Sequence, residues 1–362
     1  MPTTVAPGSD RQGGWLTAFR TSGKVFLVGI VLVFVVRHVM GFGVTAGSIA
    51  NTCHAAPGWL LLAAILYVLS WLPAAALWKT MLTPCNVRVP LSALFTAALC
   101  GLIGKYTPGK AGSLLIRAMM LKRYAIKMPV SIVTALCETV ILLASGLVIA
   151  VGLLPVTVSL DRVRESVHGP AFVMQWATWL WMRPVLTIGA AAVGVIIAVR
   201  YAVPHLLARV LRSRVNQTWD SEPFGRLIGN WRFCFVSCGT AALFWGLEGV
   251  SLTCVLQATG YESFDVATTI ACVGACSLAS SIGCFAVFTP GGLGVREWIL
   301  IESLLCLPGM SAESAVAASI LLRVVWLLAE VTTGGVLYVI VFRRGSPRIP
   351  DAVATPDRRQ AA

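Results

Sequence analysis

A six-residue phrase, T-P-G-x-x-G, occurs twice in the chain, each time between apolar stretches. Thr107, Pro108, Gly109, Lys110, Ala111 and Gly112 form the first copy; Thr289, Pro290, Gly291, Gly292, Leu293 and Gly294 form the second. Tyr106 precedes one and Phe288 the other, and the two prolines lie 182 residues apart. Proline opens a helix well because its missing N–H is not needed there. Glycine reaches backbone conformations closed to other residues. Each phrase therefore predicts the end of one helix and the start of another inside a hydrophobic region. The surroundings repeat as well. Moved by 182 residues, the apolar run 57–78 falls on the run 233–256, and the run 129–154 falls on the run 312–342. Run, broken hairpin, run is read as an internal repeat.

Composition decides the solvent. The 362 residues are 57% hydrophobic and 12% charged, where ordinary globular domains carry about 25% charged residues. The mean hydropathy is +0.83. The apolar runs are long enough for bilayer-spanning helices, so an integral membrane protein is expected. No stretch is long and polar enough to suggest a separate soluble domain. The net charge of +13 is read as Lys- and Arg-rich cytoplasmic loops. No nucleic-acid motif accompanies it, and a nucleic-acid partner is not expected. Most of the eleven cysteines lie in apolar runs. The pairs Cys234/Cys238 and Cys272/Cys276 have one-turn spacing without matching histidines, and are read as packing residues. No metal and no cofactor are expected.

The expected fold is an all-α polytopic bundle with about six spanning helices and two re-entrant hairpins in an inverted repeat. The spans are placed at 25–46, 59–78, 129–154, 184–200, 233–258 and 312–342. The first is read as an uncleaved helix, and Trp59, Trp71 and Trp78 are assigned to membrane interfaces. The hairpins are placed at 90–121 and 267–307, where a short apolar stretch, a Gly/Pro break and a short return follow one another. Such broken backbone needs shelter from lipid. Residues 1–22 are expected to be a disordered cytoplasmic segment and 346–362 a disordered tail. Between them lies a single membrane domain, 23–345, with repeats at 57–154 and 233–342 joined by a connector, 155–232. With both termini cytoplasmic, the loops 79–88, 122–127, 200–232 and 343–348 place most Lys and Arg inside. The two hairpins then enter from opposite faces, a transporter arrangement.

Helix N-termini carry unpaired N–H groups and partial positive charge. The helix-break residues Thr107, Pro108, Gly109, Gly112, Thr289, Pro290, Gly291, Gly292 and Gly294 would place two such ends at membrane depth. Lys105, Lys110, Arg117 and Arg296 stand nearby and are the candidate lipid head-group ligands; the alternative is that they snorkel to the interface. Glu138, Glu248, Glu297, Arg323 and Glu330 are the intramembrane charges, expected to pair or to line a path. Glu138 and Arg323 are expected to face each other.

The run from Pro290 to Glu297, P-G-G-L-G-V-R-E, resembles the hallmark motif of the flippase-like family typified by the membrane domain of lysylphosphatidylglycerol synthetases. Pro108, Gly109 and Lys110 through Arg117, followed by Leu121, Lys122 and Arg123, are similar to that family's first motif. Glu138 resembles a glutamate of its next helix and Arg323 an arginine of its last. Ser113 stands where many members have a carboxylate, and Thr139 where many have a basic residue. The resemblance covers most of 25–342. It implies a cell-membrane protein that moves or handles an anionic lipid, a phospholipid or a polyprenyl-phosphate-linked sugar, without being an enzyme. Aminoacyl transfer is not expected of this chain, and without a Walker motif ATP is not the expected direct energy source. Two alternatives stay open: an enzyme of lipid-linked glycan or lipid synthesis, and a membrane partner anchoring a glycosyltransferase or lipid synthase. Membrane lipids are the expected partners throughout.

Overall fold

A computed structural model of the protein describes residues 56–83, 89–106, 111–157, 230–261, 265–285 and 292–343. These residues are all-helical. In chain order the helices are α1 (Pro57–Leu82), α2 (Leu91–Ile103), α3 (Ala111–Leu121), α4 (Met128–Thr157), α5 (Trp231–Ala258), α6 (Val266–Phe285), α7 (Val295–Leu305) and α8 (Ala312–Arg343). Short 3₁₀ turns at Gly104–Tyr106 and Lys122–Tyr124 flank α3. The expected spans at 25–46 and 184–200, both polar ends and most of the connector lie outside the described residues. So do Thr107, Pro108, Gly109, Lys110, Thr289, Pro290 and Gly291.

Five helices among the described residues are long and apolar enough to cross a bilayer: α1, α4, α5, α6 and the Ala312–Ile340 part of α8. At 1.5 Å per residue a 20-residue helix covers about 30 Å, one hydrocarbon thickness. Four of the five coincide with expected spans. The fifth, α6, covers most of the stretch 267–288 that leads into the second hairpin, and it has 20 residues. Its counterpart α2 has 13 and reaches only about 20 Å. The apolar run at α6 simply continues until the second phrase, whereas Pro90 starts α2 late.

The order long helix, hairpin arm, return arm, long helix occurs twice. Both return arms, α3 and α7, have 11 residues. The 182-residue offset carries Ile103, the end of α2, onto Phe285, the end of α6. The packing is reciprocal too. α1 packs along α5. α2 packs on α8 and α6 on α4, so the first arm of each hairpin lies against the last helix of the other half. α2 with α3, α3 with α4 and α1 with α2 have counterparts in α6 with α7, α7 with α8 and α5 with α6.

One core joins α1, α5, α6, α7 and α8, including Tyr67, Leu252, Ile301 and Trp326. A second joins α1, α4 and α5, and a third joins α1, α2, α3 and α4. Ala271, Ala275 and Ala279 recur at four-residue spacing on α6 and are all buried. Small residues on one face let helices approach closely where lipid offers no hydrophobic drive for association.

Candidate functional site

The two hairpins are closed by contacts that only glycine permits. A Cβ on Gly104 would lie 2.4 Å from the Gly112 carbonyl carbon and from the Ser113 nitrogen. Gly292 has φ +73°, and a Cβ there would lie 2.6 Å from the Gly283 carbonyl oxygen. The arms thus meet backbone to backbone in both hairpins. Gly294, at φ 90°, precedes α7, and its N–H donates to Glu297 Oε2 at 2.6 Å. A carboxylate at this position satisfies one of the helix's unpaired N–H groups.

Each return arm also lays an arginine across a glycine of its partner arm. Gly101 lies against the Arg117 stem and Gly283 against that of Arg296. From there the two arginines differ. Arg117 is 3% exposed. Its Nη1 donates to Glu138 Oε2 at 2.6 Å, and its guanidinium carbon lies 5.7 Å and 5.4 Å from the Trp71 and Trp78 ring centroids. Its charge is neutralised within the bundle. The Arg296 guanidinium carbon lies 4.2 Å from the Trp326 ring centroid, and its Nη2 is buried with no hydrogen-bond partner.

A polar chain connects this second arginine to the first hairpin. Trp326 stacks on Tyr67 with ring centroids 4.3 Å apart and planes 15° from parallel. The Tyr67 hydroxyl donates to Glu330 Oε1, which also accepts from Lys105 Nζ. Trp326 Nε1 donates to Ser251 Oγ at 3.0 Å, and Ser251 Oγ donates to the Ala63 carbonyl at 2.8 Å. Buried polar groups are costly unless partnered, so such a chain holds its members in register.

Beside Arg296 is a small cavity of roughly 10 Å³, about the room one water needs. Arg296, Glu297, Ser319, Arg323 and Trp326 line it. Ser319 is 2% exposed and its hydroxyl has no partner. Arg323 Nε lies 3.7 Å from Glu297 Oε1. Glu248, 3% exposed, accepts among the described residues only a distant Cys276 thiol, with Sγ 3.9 Å from Oε2. No group of three or more metal-binding His, Cys, Asp or Glu side chains occurs among the described residues.

These positions change one expected pairing. Glu138 and Arg323 do not form a pair: Glu138 meets Arg117, and Arg323 approaches Glu297. The reason is packing order. α3 folds back directly against α4 and α7 against α8, so each return arm supplies a closer opposite charge than the far helix can. Trp78, assigned to an interface, packs inside the bundle. It is fully buried, and its Nε1 donates to Thr134 Oγ1 at 3.0 Å. Of the candidate head-group ligands, Lys105 and Arg117 sit in salt bridges, Arg296 lines the cavity, and Lys110 lies outside the described residues. Sequence reasoning missed Tyr67, Ser319, Trp326 and the pairing of Cys276 with Glu248. A tyrosine and a tryptophan inside apolar runs were the available signals for the first and third.

The model of one protein family, the lysylphosphatidylglycerol synthase TM region, matches residues 23–334. A search of curated proteins found no match.

Proposed function

The chain belongs to the lysylphosphatidylglycerol synthase TM region family, and from that membership we propose that it moves an anionic lipid across the cell membrane. The supporting observation is Arg296. It is a cation on the return arm of the second hairpin with a buried, unpartnered Nη2, beside a cavity whose other orphan group is the Ser319 hydroxyl. Lone ionisable groups at membrane depth are expensive and tend to mark substrate paths. A phosphate oxygen would accept from Nη2, and a widening of the cavity would admit the rest of the head group. The acyl or prenyl chains would stay in lipid.

On this reading the two halves form an inverted repeat whose hairpins rock against each other, exposing the site to one leaflet at a time. The reciprocal packing of the hairpin arms supports it. Lys105 and Arg117 hold the first hairpin to the bundle through Glu330 and Glu138, leaving Arg296, on the second, for the lipid.

The test is lipid movement in proteoliposomes, read by dithionite quenching of fluorescent phosphatidylglycerol and phosphatidylcholine. Wild type should move phosphatidylglycerol, and Arg296→Ala should slow it at least tenfold more than phosphatidylcholine. Movement of phosphatidylglycerol by folded Arg296→Ala at the wild-type rate would sink the head-group assignment. Wild type inert toward every anionic lipid tried would favour a scaffold for a lipid or glycan enzyme.

A further inference from the structure

Charge balance around Arg296 leads one step further. Four glutamates at membrane depth were singled out in the sequence: Glu138, Glu248, Glu297 and Glu330. Three are committed. Glu138 holds Arg117, Glu330 holds Lys105 and the Tyr67 hydroxyl, and Glu297 approaches Arg323 while capping Gly294. Among the described residues Glu248 stands in no salt bridge and has only the Cys276 thiol at 3.9 Å. A short structural path joins it to Arg296: the Arg296 guanidinium lies over Trp326, and Trp326 Nε1 donates to Ser251, one turn after Glu248 on α5. Two groups of opposite sign that stand in no salt bridge among the described residues, Arg296 and Glu248, thus flank the same Trp326–Ser251 contact.

We propose that Glu248 is a proton-binding site coupled to the lipid: it takes up a proton when an anionic head group engages Arg296 and releases it when the head group leaves. The inference rests on the lipid-transport reading above. At rest the charges of Arg296 and Glu248 offset each other. A phosphate on Arg296 claims that cation and leaves the region one negative charge in excess. A buried, uncompensated charge costs several kcal/mol, and two like charges close together favour protonation of one of them.

The neighbours leave Glu248 as the group that responds. Tyr67 from α1 donates its hydroxyl to Glu330, and Cys276 from α6 points its thiol at Glu248, so both act as donors. Glu330 from α8 is paired with Lys105 from the first hairpin, and Arg296 from α7 is the cation being claimed. Glu138, from α4, is engaged by Arg117. A single carboxylate with one thiol beside it lacks the several oxygen ligands that a bound alkali or alkaline-earth cation would require, so the ion is a proton. One proton would then accompany each lipid phosphate, and a pH gradient would drive accumulation of the lipid in one leaflet.

Titration calorimetry on the full chain in detergent tests this, using short-chain phosphatidylglycerol as the probe in buffers of differing ionisation enthalpy. Wild type should bind with uptake of about one proton, and its affinity should rise as pH falls, by at most about tenfold per pH unit. Short-chain phosphatidylcholine should bring no proton. The phosphatidylglycerol that binds to Glu248→Gln should bring none either, with an affinity independent of pH. Binding by wild type without proton uptake would overturn the coupling and leave the lipid site standing. So would equal uptake by folded Glu248→Gln. The wild-type buffer series is decisive even if that variant fails to fold. Failure of wild type to bind phosphatidylglycerol at all would overturn the coupling and the lipid site together.

Discussion

Arg117 and Glu138 form a buried ion pair, Nη1 to Oε2 at 2.6 Å, that fastens the return arm of the first hairpin to the helix after it. Breaking one partner leaves the other charge uncompensated, at about 3–5 kcal/mol, whereas replacing both by neutral groups of similar size is far milder. Arg117→Met and Glu138→Gln should each lower thermal stability in detergent strongly, and the double variant should recover most of the loss. Additive losses in the double variant would show that the two side chains act independently.

The backbone crossing at Gly104 allows no relief, since the obstruction is the main chain of Gly112 and Ser113. Gly104→Ala should cost about 1–3 kcal/mol or more, as overpacking does. Gly239 on α5 and Gly335 on α8 have open space where a Cβ would go. Alanine at either should leave stability within about 1 kcal/mol of wild type or slightly above it. Thermal unfolding followed by intrinsic fluorescence compares the three.

The Tyr67 hydroxyl serves a charged acceptor, Glu330, that is 1% exposed. Hydrogen bonds to charged groups contribute about 1.5–3 kcal/mol. Tyr67→Phe keeps the stack on Trp326 and removes that bond. It should destabilise by this amount, and should do so less when Glu330 is already Gln. A double-mutant cycle in chemical unfolding reads the coupling; a value near zero would mean that the Tyr67 hydroxyl does not help set the Glu330 position.

The repeat makes a topological prediction. Single cysteines at positions 108 and 290, on a background lacking native cysteines, should react with membrane-impermeant reagents from opposite sides. Reaction of both from the same side would end the inverted-repeat reading.

Asp265 precedes α6 outside the spanning segment, and its Oδ1 accepts from the Thr268 N–H at 2.7 Å. That hydrogen bonding holds its carboxyl below the usual carboxylate range. A lowered folded value means the cap stabilises fully above the ordinary carboxylate pKa and is lost as pH falls through the folded one. Asp265→Ala should therefore be less stable than wild type at neutral pH, with the difference closing in strong acid. A difference that persists there would point to a role other than capping.

Membrane placement of the described helices was legible in the chain itself. A helix in lipid satisfies its backbone within its own segment, so run length and apolar content suffice, as α1, α4, α5 and α8 show. The two T-P-G-x-x-G phrases likewise marked where short return arms begin, because proline and glycine act locally. The length of α6 was also legible in the run 267–288. Tertiary structure alone decided the charge partners. Arg117 takes Glu138, 21 residues away, and Lys105 takes Glu330, 225 residues away; no local pattern distinguishes these from the pairing expected between Glu138 and Arg323. Which opposite charges meet depends on how separate helices cross and rotate. Those crossings also bring the Arg296 guanidinium over Trp326, whose Nε1 donates to Ser251, one turn after Glu248 on α5.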